Sequence, residues 1–111
     1  MIETFAALAD QNRLRIIDVL RAGSQPVGEI AEKLNLRQPQ VSKHLAVLKA
    51  ACLVDVEHQA QRRIYRIRVE GLRNLDSWLS GYRALWEGRF AQLDSTLAAV
   101  LQKEVSTDGP K

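Results

Sequence analysis

The sequence predicts a mostly α-helical domain that carries one small β-hairpin, with its elements in the order α-α-α-α-β-β-α. Three observations carry that prediction. Apolar residues recur at helical spacing in four short segments before residue 51, the period shortens to an alternation between Leu53 and Arg68, and helical spacing then returns from Glu70 to about Lys103.

Taken in order, Ile2, Phe5, Ala6 and Ala9 mark a short amphipathic helix. Asp10 is placed as the N-cap of a second helix, which carries Leu14, Ile17, Val19 and Leu20 inward and keeps Arg13 and Arg15 on its wetter side. Gly23 stops that helix in the manner of a C′ glycine, and Gly23 to Pro26 reads as a loop. Val27, Ile30, Ala31 and Leu34 define a third helix of about two turns, followed by a short turn at Asn35 and Leu36. Pro39 sits where a fourth helix begins, tolerated there because first-turn N–H groups have no intrahelical partner. Val41, Leu45 and Leu48 fall at i, i+4 and i+7 and seat this helix on a small core. Two short helices at this spacing, the second polar at its start, make a helix-turn-helix.

The outward side of the fourth helix is unusual. Gln38, Gln40, Ser42, Lys43 and His44 crowd its first two turns, and no carboxylate follows until Asp55. A helix that is merely wet mixes both signs of charge for i, i+4 support. Amides suit base edges, while a hydroxyl and a lysine suit phosphates, so this helix has what the DNA major groove asks of its N-terminal end. Leu53 to Glu57 and Arg63 to Arg68 then alternate as strands do, with Val54 and Val56 on one face of the first, and with Ile64 and Ile67 near the second. The stretch between them, His58 to Arg62, holds no Gly or Pro and leaves the turn type open. Arg62 and Arg63 at the tip of this wing are expected to reach a phosphate or the minor groove beside the helix's site.

In the last helix Leu72, Leu79, Trp86, Leu93 and Val100 repeat every seven residues, widened by Leu75, Tyr82, Leu85, Phe90 and Leu97. That is more apolar surface than a domain already closed by three helices and a wing can cover. A second copy is the simplest cover, since two-fold dimers are the commonest soluble oligomer. Paired recognition helices about 34 Å apart would then read two half-sites in successive major grooves. Trp78, Tyr82, Trp86 and Phe90 read as core or dimer interface, and as the lining of any apolar effector pocket. Gly81 and Gly88 leave the continuity of the helix open.

Composition sets outer bounds. One domain fits into 111 residues, expected to span residues 1–104 with a disordered tail over 105–111. Sixteen Lys and Arg against thirteen Asp and Glu give only +3. From Arg37 to Arg68, however, seven basic residues stand against Asp55 and Glu57, so that third of the chain carries +5. The single Cys52 excludes an internal disulfide framework and reads as a buried or half-buried hydrophobe. No apolar run approaches the roughly 20 residues of a membrane span, and a cytoplasmic protein with no membrane partner is expected. No nucleophile with a base, no glycine-rich phosphate loop and no carboxylate pair with a partner stands out, so an enzyme is not expected.

These residues carry a family resemblance. The segments FAALADQNRLRIIDVL, PVGEIAEKL, RQPQVSKHLAVLKAACLV and RRIYRI, in this order and followed by a long helix, closely resemble the ArsR/SmtB family of bacterial winged-helix repressors. The resemblance implies a winged helix-turn-helix, dimeric through its first and last helices, that binds double-stranded operator DNA and blocks transcription. It assigns Gln38, Gln40, Ser42, Lys43 and His44 to the DNA-reading helix and Arg62 and Arg63 to the wing. The implied dimer interface draws on Ile2, Phe5, Leu79, Tyr82, Trp86, Leu93 and Leu97.

The chain departs from the family's metal sensors. Their Cys-x-Cys on the third helix aligns with Pro26 and Gly28, and Glu70 to Lys103 holds no His or Cys for a site on the last helix. Only His44, His58 and Cys52 offer nitrogen or sulfur, where a transition metal wants three or four ligands. No metal and no cofactor is therefore expected, and the effector is unknown. Two competing readings stay open: a sensor that uses an unrecognised site, and an interaction module that kept the fold and lost DNA binding.

Overall fold

The computed structural model describes the backbone of residues 1–107 and the side chains of residues 1–88. Its elements run α1 (Ile2–Leu8), α2 (Gln11–Leu20), β1 (Gln25–Pro26), α3 (Val27–Leu34), α4 (Gln38–Ala50), β2 (Val54–Gln59), β3 (Arg62–Ile67) and α5 (Val69–Thr107). Residues Met1–Asp76 form one compact unit, and a second unit begins at Ser77, within α5.

In the first unit Asp10 caps α2 as expected. Its carboxylate accepts the backbone N–H of Asn12 at 2.8 Å and of Arg13 at 3.0 Å, two of the donors a helix start leaves unpaired. The Arg13 guanidinium, placed on the wet side by the sequence, instead reaches back and donates through Nε to the Ala7 carbonyl, tying α1 to α2. The inward face of α2 also differs from the expected one. Ile16 and Leu20 are buried, Ile17 and Val19 only partly so, and Leu14 is exposed. Apolar residues at 14, 16, 17, 19 and 20 surround much of the helix, so their spacing leaves the phase undetermined. Gly23 lies two residues past the Arg21 cap rather than directly after it, at φ 143°.

The expected two-stranded wing forms as β2 and β3, and β1 adds a third antiparallel strand, in the order β1-β3-β2, because Gln25 and Pro26 pair with Tyr65 and Ile64. Two residues are too few to show a period, and Pro26, which lacks an N–H, is tolerated on an edge strand. Gln25 is buried but satisfied, donating to the Val19 carbonyl at 3.0 Å and accepting from Lys33 Nζ at 2.7 Å. The hairpin pairs Val54 with Ile67 through to Gln59 with Arg62, closing over Ala60 and Gln61 with Ala60 at φ 56°.

All four predicted positions of α3 are buried, and Asn35 ends it in the left-handed region at φ 55°. Val41, Leu45 and Leu48 of α4 are fully inaccessible, joined in the core by Ile16, Ile30, Leu53 and Val54 and, from β3, by Tyr65. Cys52 is exposed rather than buried. The turn that carries it meets the start of α5 so closely that a Cβ on Gly71 would lie 2.1 Å from the Cys52 carbonyl oxygen.

In the second unit α5 runs unbroken through Gly81 and Gly88. The Trp78 and Tyr82 rings pack at 4.9 Å between centroids, tilted 53°. Leu79 and Trp86 are half-buried, while Trp78, Tyr82 and Leu85 are exposed. The side chains of Leu93 and Leu97 lie outside the described residues. Helix extends to Thr107, into the stretch expected as a tail, and residues 108–111 are outside the description. Among the described residues no helix is long and apolar enough to cross a membrane.

Candidate nucleic-acid interface

Burial of Val41, Leu45 and Leu48 sets the rotation of α4 and so decides what it shows to solvent. Gln38, Gln40 and Lys43 are exposed, and Ser42 and His44 are half-buried at the edge of the polar face. Gln38 opens the helix and Pro39 follows it. The free N–H groups there, at the positive end of the helix dipole, favour an anion such as a phosphate.

Two of the side chains expected to read DNA are engaged by the protein itself. Gln40 accepts the backbone N–H of Arg37 through Oε1 at 3.3 Å, one half of a capping box. His44 Nδ1 lies 3.5 Å from Arg13 Nη1 and 4.0 Å from Asp10 Oδ1, so it is braced against the cap of α2. The backbone N–H of Arg13, and after it the Arg13 charge, hold the Asp10 carboxyl below the usual carboxylate range against the opposing effect of burial. No sequence spacing joins residues 10 and 13 to residue 44; that contact appears only once α2 and α4 pack together.

On the wing, Arg62 and Arg63 are exposed beside the turn. With Gln38 and Gln61 they line an open groove of about 490 Å³, so the structure brings the wing tip and the start of α4 to one place. Gln61, which sequence reasoning passed over, joins them because the turn is only two residues long. Glu29 and Glu32 line the same groove and offset the charge of the two arginines there. Arg66 and Arg68 pair with Glu57 at 3.8 Å and Glu70 at 3.7 Å. Lys43, Arg62 and Arg63 make no ion pair among the described residues.

Comparison with known proteins agrees with this geometry. Residues 8–57 match a family described as a helix-turn-helix domain. The transcriptional repressor SdpR of Bacillus subtilis is 30% identical over 82 residues, which are 74% of this chain and 91% of that protein. The crystal structure of the ArsR family transcriptional regulator RHA00566 superposes with a TM-score of 0.66 at 28% identity, covering 77% of this chain and 88% of that one. The chain belongs to the ArsR family of winged helix-turn-helix transcriptional regulators. A third relative, the homodimeric winged helix-turn-helix DNA-binding domain Mb0332 of Mycobacterium bovis, superposes with a TM-score of 0.63 at 30% identity over 71% of this chain and 73% of that one.

ArsR-family chains are DNA-binding regulators and not enzymes, and this chain is one of them. The two positions that the resemblance aligns with the family's Cys-x-Cys do not fit a metal. Pro26 has no ligand atom in its side chain and is taken up by β1, and Gly28, in the first turn of α3, has no side chain. Among the described residues no three His, Cys, Asp or Glu side chains stand together as a ligand set.

Proposed function

We propose that the chain is a homodimeric repressor that binds a palindromic operator, each copy laying the start of α4 in the major groove with Arg62 and Arg63 on the flanking backbone. One observation carries the reading: α4 shows solvent a face of Gln38, Gln40 and Lys43 without a carboxylate, beside a wing tip with two unpaired arginines. Gln38 and Gln40 read base edges, His44 reads beside them, and Ser42, Lys43, Arg62 and Arg63 hold phosphates. Repression follows from occupancy of the operator in the cytoplasm, and SdpR, named a repressor, supports it.

Dimerisation is supported by Mb0332, which is homodimeric, and by apolar exposure on the two helices that the family resemblance points to. Ile2 is 80% exposed and Leu85 64%, with Phe5 and Tyr82 each above two-fifths. Solvent is a poor neighbour for side chains of this size, and a second copy that covers Ile2, Phe5, Leu79, Tyr82 and Trp86, with Leu93 and Leu97 further along, removes them from it.

The test is selection of bound fragments from a random DNA pool, repeated with added zinc and with chelator. The proposal expects an enriched palindrome whose half-sites lie about one helical turn apart, unchanged by either addition. Enrichment that zinc abolishes would establish a sensor with an unrecognised site, and no enrichment at all would leave an interaction module. Removing Lys43, Arg62 or Arg63 singly should weaken binding to all sequences alike and flatten the salt slope by about one unit each.

A further inference from the structure

The two reading side chains that the protein holds are held in the same sense. The group facing Gln40 is the backbone N–H of Arg37, which can only donate. The atom of Gln40 turned toward it is therefore the carbonyl oxygen, and the NH₂ group points away from the cap. One turn further on, the group nearest His44 Nδ1 is the Arg13 guanidinium, which has donors and no acceptor. With Nδ1 accepting from Arg13, the imidazole carries its proton on Nε2, on the far side of the ring. Asp10 Oδ1 stands further from the same nitrogen, at 4.0 Å, and already accepts two backbone N–H groups. Lys43 lies between them in sequence and has donors alone.

We infer that Gln40 and His44 face the major groove with donors alone, and that Gln40 selects guanine over adenine in each half-site. Guanine shows two acceptors there, N7 and O6, whereas adenine shows the N7 acceptor beside the N6 amino donor. A glutamine reads adenine by offering its oxygen and its nitrogen together. With the oxygen bound to the Arg37 N–H, Gln40 would set donor against donor at adenine N6, while both of its hydrogens find acceptors on guanine. Gln38 makes no such bond among the described residues, so the selectivity falls to Gln40, with His44 Nε2–H as a second donor of the same kind.

The inference rests on α4 being the DNA-reading helix, and its test separates the two. Each guanine of the selected half-site is replaced in turn by 7-deazaguanine, which keeps base pairing and removes the N7 acceptor, and affinity is read by fluorescence anisotropy. The wild type should lose about tenfold at one guanine per half-site. Gln40→Glu keeps an acceptor for the Arg37 N–H, and so the cap, but has no donor; it should bind the natural and the 7-deaza duplex equally. Gln40→Ala should do the same, and the ratio is read at low ionic strength, where phosphate contacts keep weak variants measurable. Indifference of the wild type to every guanine replacement overturns the inference. So does a loss on replacing an adenine with purine, which lacks N6, if Gln40→Ala abolishes it. A pool without enriched DNA takes the proposed function down as well, whereas an enriched pool with adenine sensitivity that depends on Gln40 removes this inference alone.

Discussion

Helix α4 and the second unit's part of α5 have apolar residues at the same helical spacing and opposite fates. In α4 the stripe of Val41, Leu45 and Leu48 is wholly inaccessible, enclosed by α2, α3 and the hairpin. In α5 the aromatic and aliphatic side chains at 78, 82 and 85 stand between 44% and 64% exposed. Periodicity thus identifies the face a helix intends to bury, and only the surrounding chain decides whether that burial is completed within one molecule. On the proposed function the first helix positions a reading face, and the second keeps its apolar side for a second copy.

The largest expected effect tests the closed side. Leu45→Ala should cost about 2–5 kcal/mol in chemical denaturation, since its site is enclosed by neighbours that cannot all collapse into the gap. Leu85→Ala, on the exposed side, should change the stability of the isolated chain far less, and equal losses would erase the contrast. Next come the glycines. Gly71→Ala forces a Cβ onto the Cys52 carbonyl and should destabilise by about 1–3 kcal/mol. Gly81→Ala meets nothing within 4 Å and removes a poor helix former, so it should stabilise the chain by roughly 0.5–1 kcal/mol. Opposite signs in thermal melts are the expected outcome.

The smallest effect concerns pH. The folded chain holds the Asp10 carboxyl below its unfolded value, chiefly through the Arg13 backbone N–H, so the cap contributes stability at neutral pH. That contribution persists down to the ordinary carboxylate range and is lost as pH falls through the lowered folded-state value. Asp10→Asn keeps an oxygen for the cap and has no proton to gain, so its acid limb should be flatter than the wild type's; superimposable limbs would contradict the assignment.

Much of this was legible in the residues. The stripes of α3 and α4, the Asp10 cap and the switch to a strand period are local patterns that repeat often enough to be read. What escaped was either too short or too distant. β1 has two residues and no period, and the phase of α2 is blurred by its neighbouring apolar residues. Gly71 is a tertiary necessity, visible only when the Cys52 turn is seen against α5. The polar face of α4 was visible as a composition, whereas the orientation of its amide and imidazole depends on Arg37 and Arg13. The second of these lies 31 residues from the ring it holds.

The measurement that bears most directly on the whole account is sedimentation of the purified chain with a selected duplex, run beside Leu79→Glu and Trp86→Glu. Two wild-type chains should travel with each duplex, and the two variants should sediment as single chains with native circular dichroism and weak DNA binding. A wild type that stays a single chain and leaves every duplex free at low salt, or charged variants that remain stable dimers, would contradict it.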